Sequence, residues 1–79
     1  MSGEFSVWQF FPDETGELVS AFVDPETAVR TAFQLSHSLA AQVGVTARVI
    51  IVDGDDFTTF EWKFGEGVVF PTRADMEHP

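Results

Sequence analysis

Only one stretch of this chain combines a helix start signal with the length to use it, and it lies mid-chain. Asp24 can cap the open N–H groups of a first turn, Pro25 suits the first helical position, and Glu26 places negative charge at the positive end of the dipole. The 3.6-residue spacing of apolar positions predicts a helix from Pro25 to about Val43, with Gly44 ending it. Ala28, Val29, Ala32, Phe33, Leu35, Leu39, Ala40 and Val43 share its apolar side, and Ser36 falls inside that stripe. The alanines predict close approach to a sheet. The rest of the 79 residues reads as strand or turn, so one helix must serve the whole chain.

Before the helix, residues 5–12 (FSVWQFFP) and 17–23 (ELVSAFV) read as strands joined by a turn over Asp13-Glu14-Thr15-Gly16, with Gly16 supplying a positive φ. After it, residues 45–53 and 57–64 read as a second hairpin turning on Gly54-Asp55. Gly65-Glu66-Gly67 makes a further turn, and Val68-Val69-Phe70-Pro71 adds a short fifth strand. The expected fold is α+β, ββαββ: an antiparallel four-stranded sheet, with that possible fifth strand, and one helix on one face. Residues 1–71 form the expected single domain and 72–79 a loose tail.

A two-residue turn at Gly54-Asp55 sets a register. Val49 then faces Phe60 and Ala47 faces Trp62, on the side that meets the helix. The other side pairs Val52 with Phe57, Ile50 with Thr59, Arg48 with Glu61 and Thr46 with Lys63. In the first hairpin Val7 and Phe11 point away from Trp8 and Phe10. Both sheet faces therefore carry apolar residues, and one helix covers one face. Val7, Phe11, Ile50, Val52 and Phe57 are the candidate interface on the open face. A homodimer is the expected cover, with curling of the sheet over its own side chains as the alternative.

Charge excludes several partners. Thirteen acidic against four basic residues give a net charge of −9. Arg30, Arg48, Lys63 and Arg73 are scattered, so no cationic footprint for nucleic acid or an anionic membrane is expected. No apolar run reaches the length of a spanning helix, and no signal peptide opens the chain. There is no cysteine, which removes disulfides and thiolate metal sites and fits a cytoplasmic location. Nine Phe and two Trp among 44% hydrophobic residues set the chain apart from disordered acidic sequences.

No chemical constellation stands out. Asp53, Asp55 and Asp56 cluster around Gly54, but they lack the alternating spacing of a calcium loop and read as turn formers. Ser36 and His37 are adjacent on a helix, hence about 100° apart, and do not face each other. Glu61 and Lys63 alternate along one strand and read as a solvated face. Gly65-Glu66-Gly67 lacks the lysine and following helix of a phosphate loop. No catalytic residue, metal ligand or cofactor is assigned.

Val7-Trp8-Gln9-Phe10-Phe11 near the start and Arg48-Val-Ile-Ile-Val-Asp-Gly-Asp-Asp-Phe-Thr-Thr-Phe-Glu-Trp-Lys-Phe-Gly-Glu-Gly further on resemble a family of small bacterial proteins. Its members are about this long and carry a domain of unknown function. The likeness spans residues 5–71 and implies a stand-alone cytosolic protein; it supplies no catalytic residues. The expected function is a small homodimeric binding or assembly module. The competing expectations are a metal-dependent or small-molecule enzyme using Asp53, Asp55, Asp56 and Glu61, or an acidic protein docking on a basic partner.

Overall fold

The computed structural model describes residues 3–71. The expected tail from Thr72 lies outside them. Five strands and two helices follow in the order β1 (Phe5–Phe10), β2 (Gly16–Val23), α1 (Pro25–Ser36), α2 (Leu39–Gln42), β3 (Arg48–Val52), β4 (Thr58–Lys63) and β5 (Gly67–Phe70). All neighbours are antiparallel, in the order β2-β1-β3-β4-β5. The class is α+β, and the short fifth strand is formed. The smallest dimension is 19 Å, which suits one sheet and one helix layer of about 10 Å each.

The helix begins where expected. Asp24 takes the extended N-cap conformation (φ −71°, ψ 163°) without closing a capping hydrogen bond. The Thr27 hydroxyl beside it still holds its carboxyl below the ordinary value. The helix is not continuous to Val43, however. It stops at Ser36, and Ser38 caps a second, four-residue helix by accepting from the Ala41 N–H at 3.1 Å. The Ser38 hydroxyl also donates to the Leu35 carbonyl at 2.7 Å, so it ties the end of one helix to the start of the next. Gly44 (φ 84°) follows the second helix in the left-handed conformation.

Both hairpins use the same three-residue loop. Phe11 N–H donates to Thr15 O and Glu14 N–H to Phe11 O, each at 2.9 Å, and Glu14 takes the left-handed position (φ 70°). Asp53 N–H donates to Phe57 O at 2.9 Å, Asp56 N–H donates to Asp53 O at 3.1 Å, and Asp56 is the left-handed residue (φ 64°). This is a type I turn closed by a left-handed residue, usually glycine. Gly16, expected to turn the first hairpin, instead lies in β2 under the Phe10 ring, where a Cβ would meet ring carbon at 2.6 Å.

The longer loop corrects the second hairpin's register by two residues. Arg48 faces Lys63, Val49 faces Trp62, Ile50 faces Glu61 and Ile51 faces Phe60. A shift of two keeps the side chains from Phe60 to Lys63 on their own faces, while a bulge between Ile51 and Val52 ends that register and Thr59 lines the helix side. Arg48 and Glu61 thus become diagonal neighbours, and they still meet, with Arg48 Nε 3.4 Å from Glu61 Oε2.

α1 packs on β3, β1 and β2. Its Ala28 and Ala32 meet Val7, Val49 and Ile51 in the core, flanked by Phe5, Val23, Leu35, Phe60 and Trp62. Beyond the end of α1, Thr46 is buried and donates to Gln9 Oε1 at 3.0 Å, and Gln9 donates to Glu17 at 2.6 Å. This chain of bonds links β1 to β2 and to the residues that lead into β3.

Candidate functional site

Two surfaces of the sheet lack a covering layer among the described residues. The first is the face opposite α1. The pairings place Leu18, Trp8, Ile50, Glu61 and Phe70 in one row across all five strands. Gly16, Phe10, Arg48 and Lys63 form the next row. The Arg48 guanidinium lies 4.4 Å from the Phe10 ring centre, and Phe10 and Trp8 are nearly parallel (19°) at 6.4 Å. Lys63 Nζ is 4.0 Å from Glu61 Oε2. Arg48 Nε is itself out of solvent and completes no hydrogen bond within the chain.

This placement revises the expected interface. Ile50 and Val52 belong to the open face: Ile50 pairs with Trp8 and Val52 with Ser6. Val7 does not. It pairs with Ile51 and is fully buried beside Ala28 and Ala32. The reason is size, because an alanine-faced helix pressed on the sheet leaves room for valine beneath it. The larger Trp8 and Phe10 take the open face, where Arg48 stacks on Phe10. Phe11 and Phe57 sit in the two hairpin turns, next to Phe10↔Arg48 and Val52↔Thr58, at opposite ends of β3. The five candidates therefore do not form one patch. Trp8, Phe10 and Phe70 are the residues that reading missed. The signal for Trp8 and Phe10 was their bulk set against an alanine-rich helix.

The second surface is a groove on the helix side. α1 covers β1 and β3 and leaves the matching face of β4 and β5 open. Val29 and Phe33 stand on the helix side of the groove, and Phe60, Trp62 and Val68 on the strand side, around a volume of about 490 Å³. Val29 (62% exposed), Phe33 (59%) and Val68 (51%) keep it accessible. Pro25 lies at one end of α1 and His37 at the other; both line the groove, and among the described residues no Asp, Glu, Lys or Arg does.

His37 closes the far end. Its ring stacks on Phe33 at 4.0 Å and 21°. Nδ1 lies 2.9 Å from the Phe33 carbonyl and 3.2 Å from Ser36 Oγ. Ser36 and His37 are thus within reach of each other, unlike residues inside a continuous helix, because α1 ends between them. Among the described residues, no hydrogen bond or ion pair joins His37 to a carboxylate.

The acidic candidates are dispersed. Asp53 Oδ1 accepts from the N–H groups of Asp55 (2.9 Å) and Phe57 (3.0 Å), so this carboxylate builds the turn. Glu61 is engaged with Arg48 on β3. Among the described residues, no three His, Asp or Glu side chains converge as metal ligands. Among the described residues, no helix is long and apolar enough to cross a membrane. No protein family, curated protein or solved structure matches this chain.

Proposed function

We propose that this chain is a small homodimeric binding or assembly module, and that two copies meet through their open sheet faces. The observation that carries the reading is the row Leu18–Trp8–Ile50–Glu61–Phe70, which crosses the sheet with no layer over it. Sheet-on-sheet packing buries such rows. Two-fold pairs are the commonest symmetric assemblies and use the same patch on both copies. The charges on this face pair internally, since Glu61 answers both Arg48 and Lys63.

The reading keeps nucleic acid and anionic membranes outside the partners. Arg30 is engaged with Glu26 at 2.8 Å, and the other described cations with Glu61. The cytoplasm is the proposed location, on the absence of cysteine. Sedimentation at micromolar concentration tests the assembly. The expected mass is twice the 8.8 kDa of one chain, falling to one chain in Leu18→Asp and Phe70→Asp. A wild-type protein sedimenting as a single chain overturns it.

A further inference from the structure

We infer that the groove between α1 and β4–β5 is a binding site for a small, uncharged aromatic molecule that carries one hydroxyl group. The inference stands apart from the homodimer, which uses the opposite face of the sheet.

Three observations carry it. The first is size and shape. The groove follows α1 from Pro25 to His37, roughly 18 Å at about 1.5 Å per residue. Its 490 Å³ falls within the range of about 300–1,000 Å³ in which small-molecule pockets lie.

The second is charge. Among the described residues, no Asp, Glu, Lys or Arg lines the groove, although the chain carries 13 acidic side chains. A carboxylate or phosphate ligand would enter a strongly negative protein and find no Lys or Arg to receive it. That selects an uncharged ligand. The aromatic walls, from Phe33 to Phe60 and Trp62, favour a flat ring system, which gains from stacking beyond its buried area.

The third is a polar handle at the far end, His37. The Thr59 and Ser36 hydroxyls already donate to the carbonyls of Ile51 and Phe33, each at 3.2 Å. His37 Nδ1 is 2.9 Å from the Phe33 carbonyl, which can only accept, so in neutral imidazole the proton sits on Nδ1. Nε2 then offers a lone pair, with no hydrogen-bond partner among the described residues. A ligand hydroxyl is the group that completes it. Stacking on Phe33 fixes the ring before any ligand arrives.

The test uses 2-naphthol, naphthalene and 2-naphthoate as probes of one shape, titrated into the full chain near neutral pH and followed by amide NMR shifts and calorimetry. Binding of 2-naphthol with shifts at Ala32, Gly67 and Val68 is expected, with 2-naphthoate weaker by tenfold or more. His37→Phe keeps the stack and removes Nε2. It should erase the preference for 2-naphthol over naphthalene while naphthalene binding persists. Both Phe33 and His37 are exposed, so this variant and Phe33→Ala should fold. No saturable binding of 2-naphthol, or equal binding of 2-naphthoate, overturns the inference. So does a shift of these same amides with protein concentration alone, which would place a second copy of the chain in the groove.

Discussion

β3 is buried on both sides, but by different means. Val49 and Ile51 lie beneath α1, a second layer that excludes water from above. Ile50 faces the other way, with no layer over it, and is buried by its lateral neighbours Trp8 and Glu61. The contrast teaches that a central strand can look like core on a face with no cover. β4 and β5, further from the centre, lack that lateral shelter. On the helix side they line a groove, because α1 stops short of them.

The difference can be measured. Ile51→Ala should cost about 2–5 kcal/mol in denaturant unfolding, because the layer above cannot collapse fully into the gap. Ile50→Ala should cost less, at or below about 2 kcal/mol in dilute protein, since nothing overlies it. That gap should narrow as protein concentration rises if two copies cover Ile50, because dimer stability depends on concentration. Equal losses at every dilution would mean that lateral burial is worth as much as a covering helix.

A smaller effect of opposite sign is expected at the edge. Phe22 is 69% exposed, and its φ of 55° is one that only glycine adopts without strain. Phe22→Gly trades about 1–2 kcal/mol of left-handed strain for about 0.5–1 kcal/mol of added chain entropy, so it should raise stability by up to about 1 kcal/mol, read as a higher denaturant midpoint. A loss there would show that the Phe22 ring contributes more to β2 than its backbone costs.

Two carboxylates away from both faces respond to acid. Asp13 is held below its ordinary pKa first by the Thr15 hydroxyl, then by the Thr15 N–H; for Asp24 the Thr27 hydroxyl does the same. A depressed folded pKa stabilises the protein above the unfolded value, near pH 4, and that stability is lost as pH falls through the folded value. Asp13→Asn should therefore flatten the acid limb of a stability–pH curve slightly. An unchanged limb would remove the Thr15 bonds as its cause.

Much of the fold was legible, and its gaps share a physical origin. Asp24-Pro25 announces the helix, and alternation announces the strands. The helix break was readable in Ser38 as a cap, but Leu39 and Val43 continue the apolar stripe and mask it. Gly54 suggests a two-residue loop, while the structure places the left-handed position at Asp56, since aspartate tolerates that conformation better than most residues. The register slip was harmless to the faces from Phe60 to Lys63 because it was even there; Thr59, at the bulge, changed sides. The side chosen for Val7 was readable only in the bulk of Trp8 and Phe10 against the alanines of α1, since β1 meets β3 across the whole helix and no turn fixes that pairing. The groove was hidden for the same reason. Phe60 and Trp62 read as core until the strand order shows that the sheet is wider than its helix.

Two bulges in β2 carry a consequence for solubility. Between Leu18 and Val23 the strand twice spends an extra residue against β1. Its outward N–H and C=O groups are thrown out of step with any straight neighbour. A strand broken in this way is a poor template for another chain's ladder. An acidic protein with so much exposed aromatic surface can then be concentrated without zipping edge to edge into fibrils at β2.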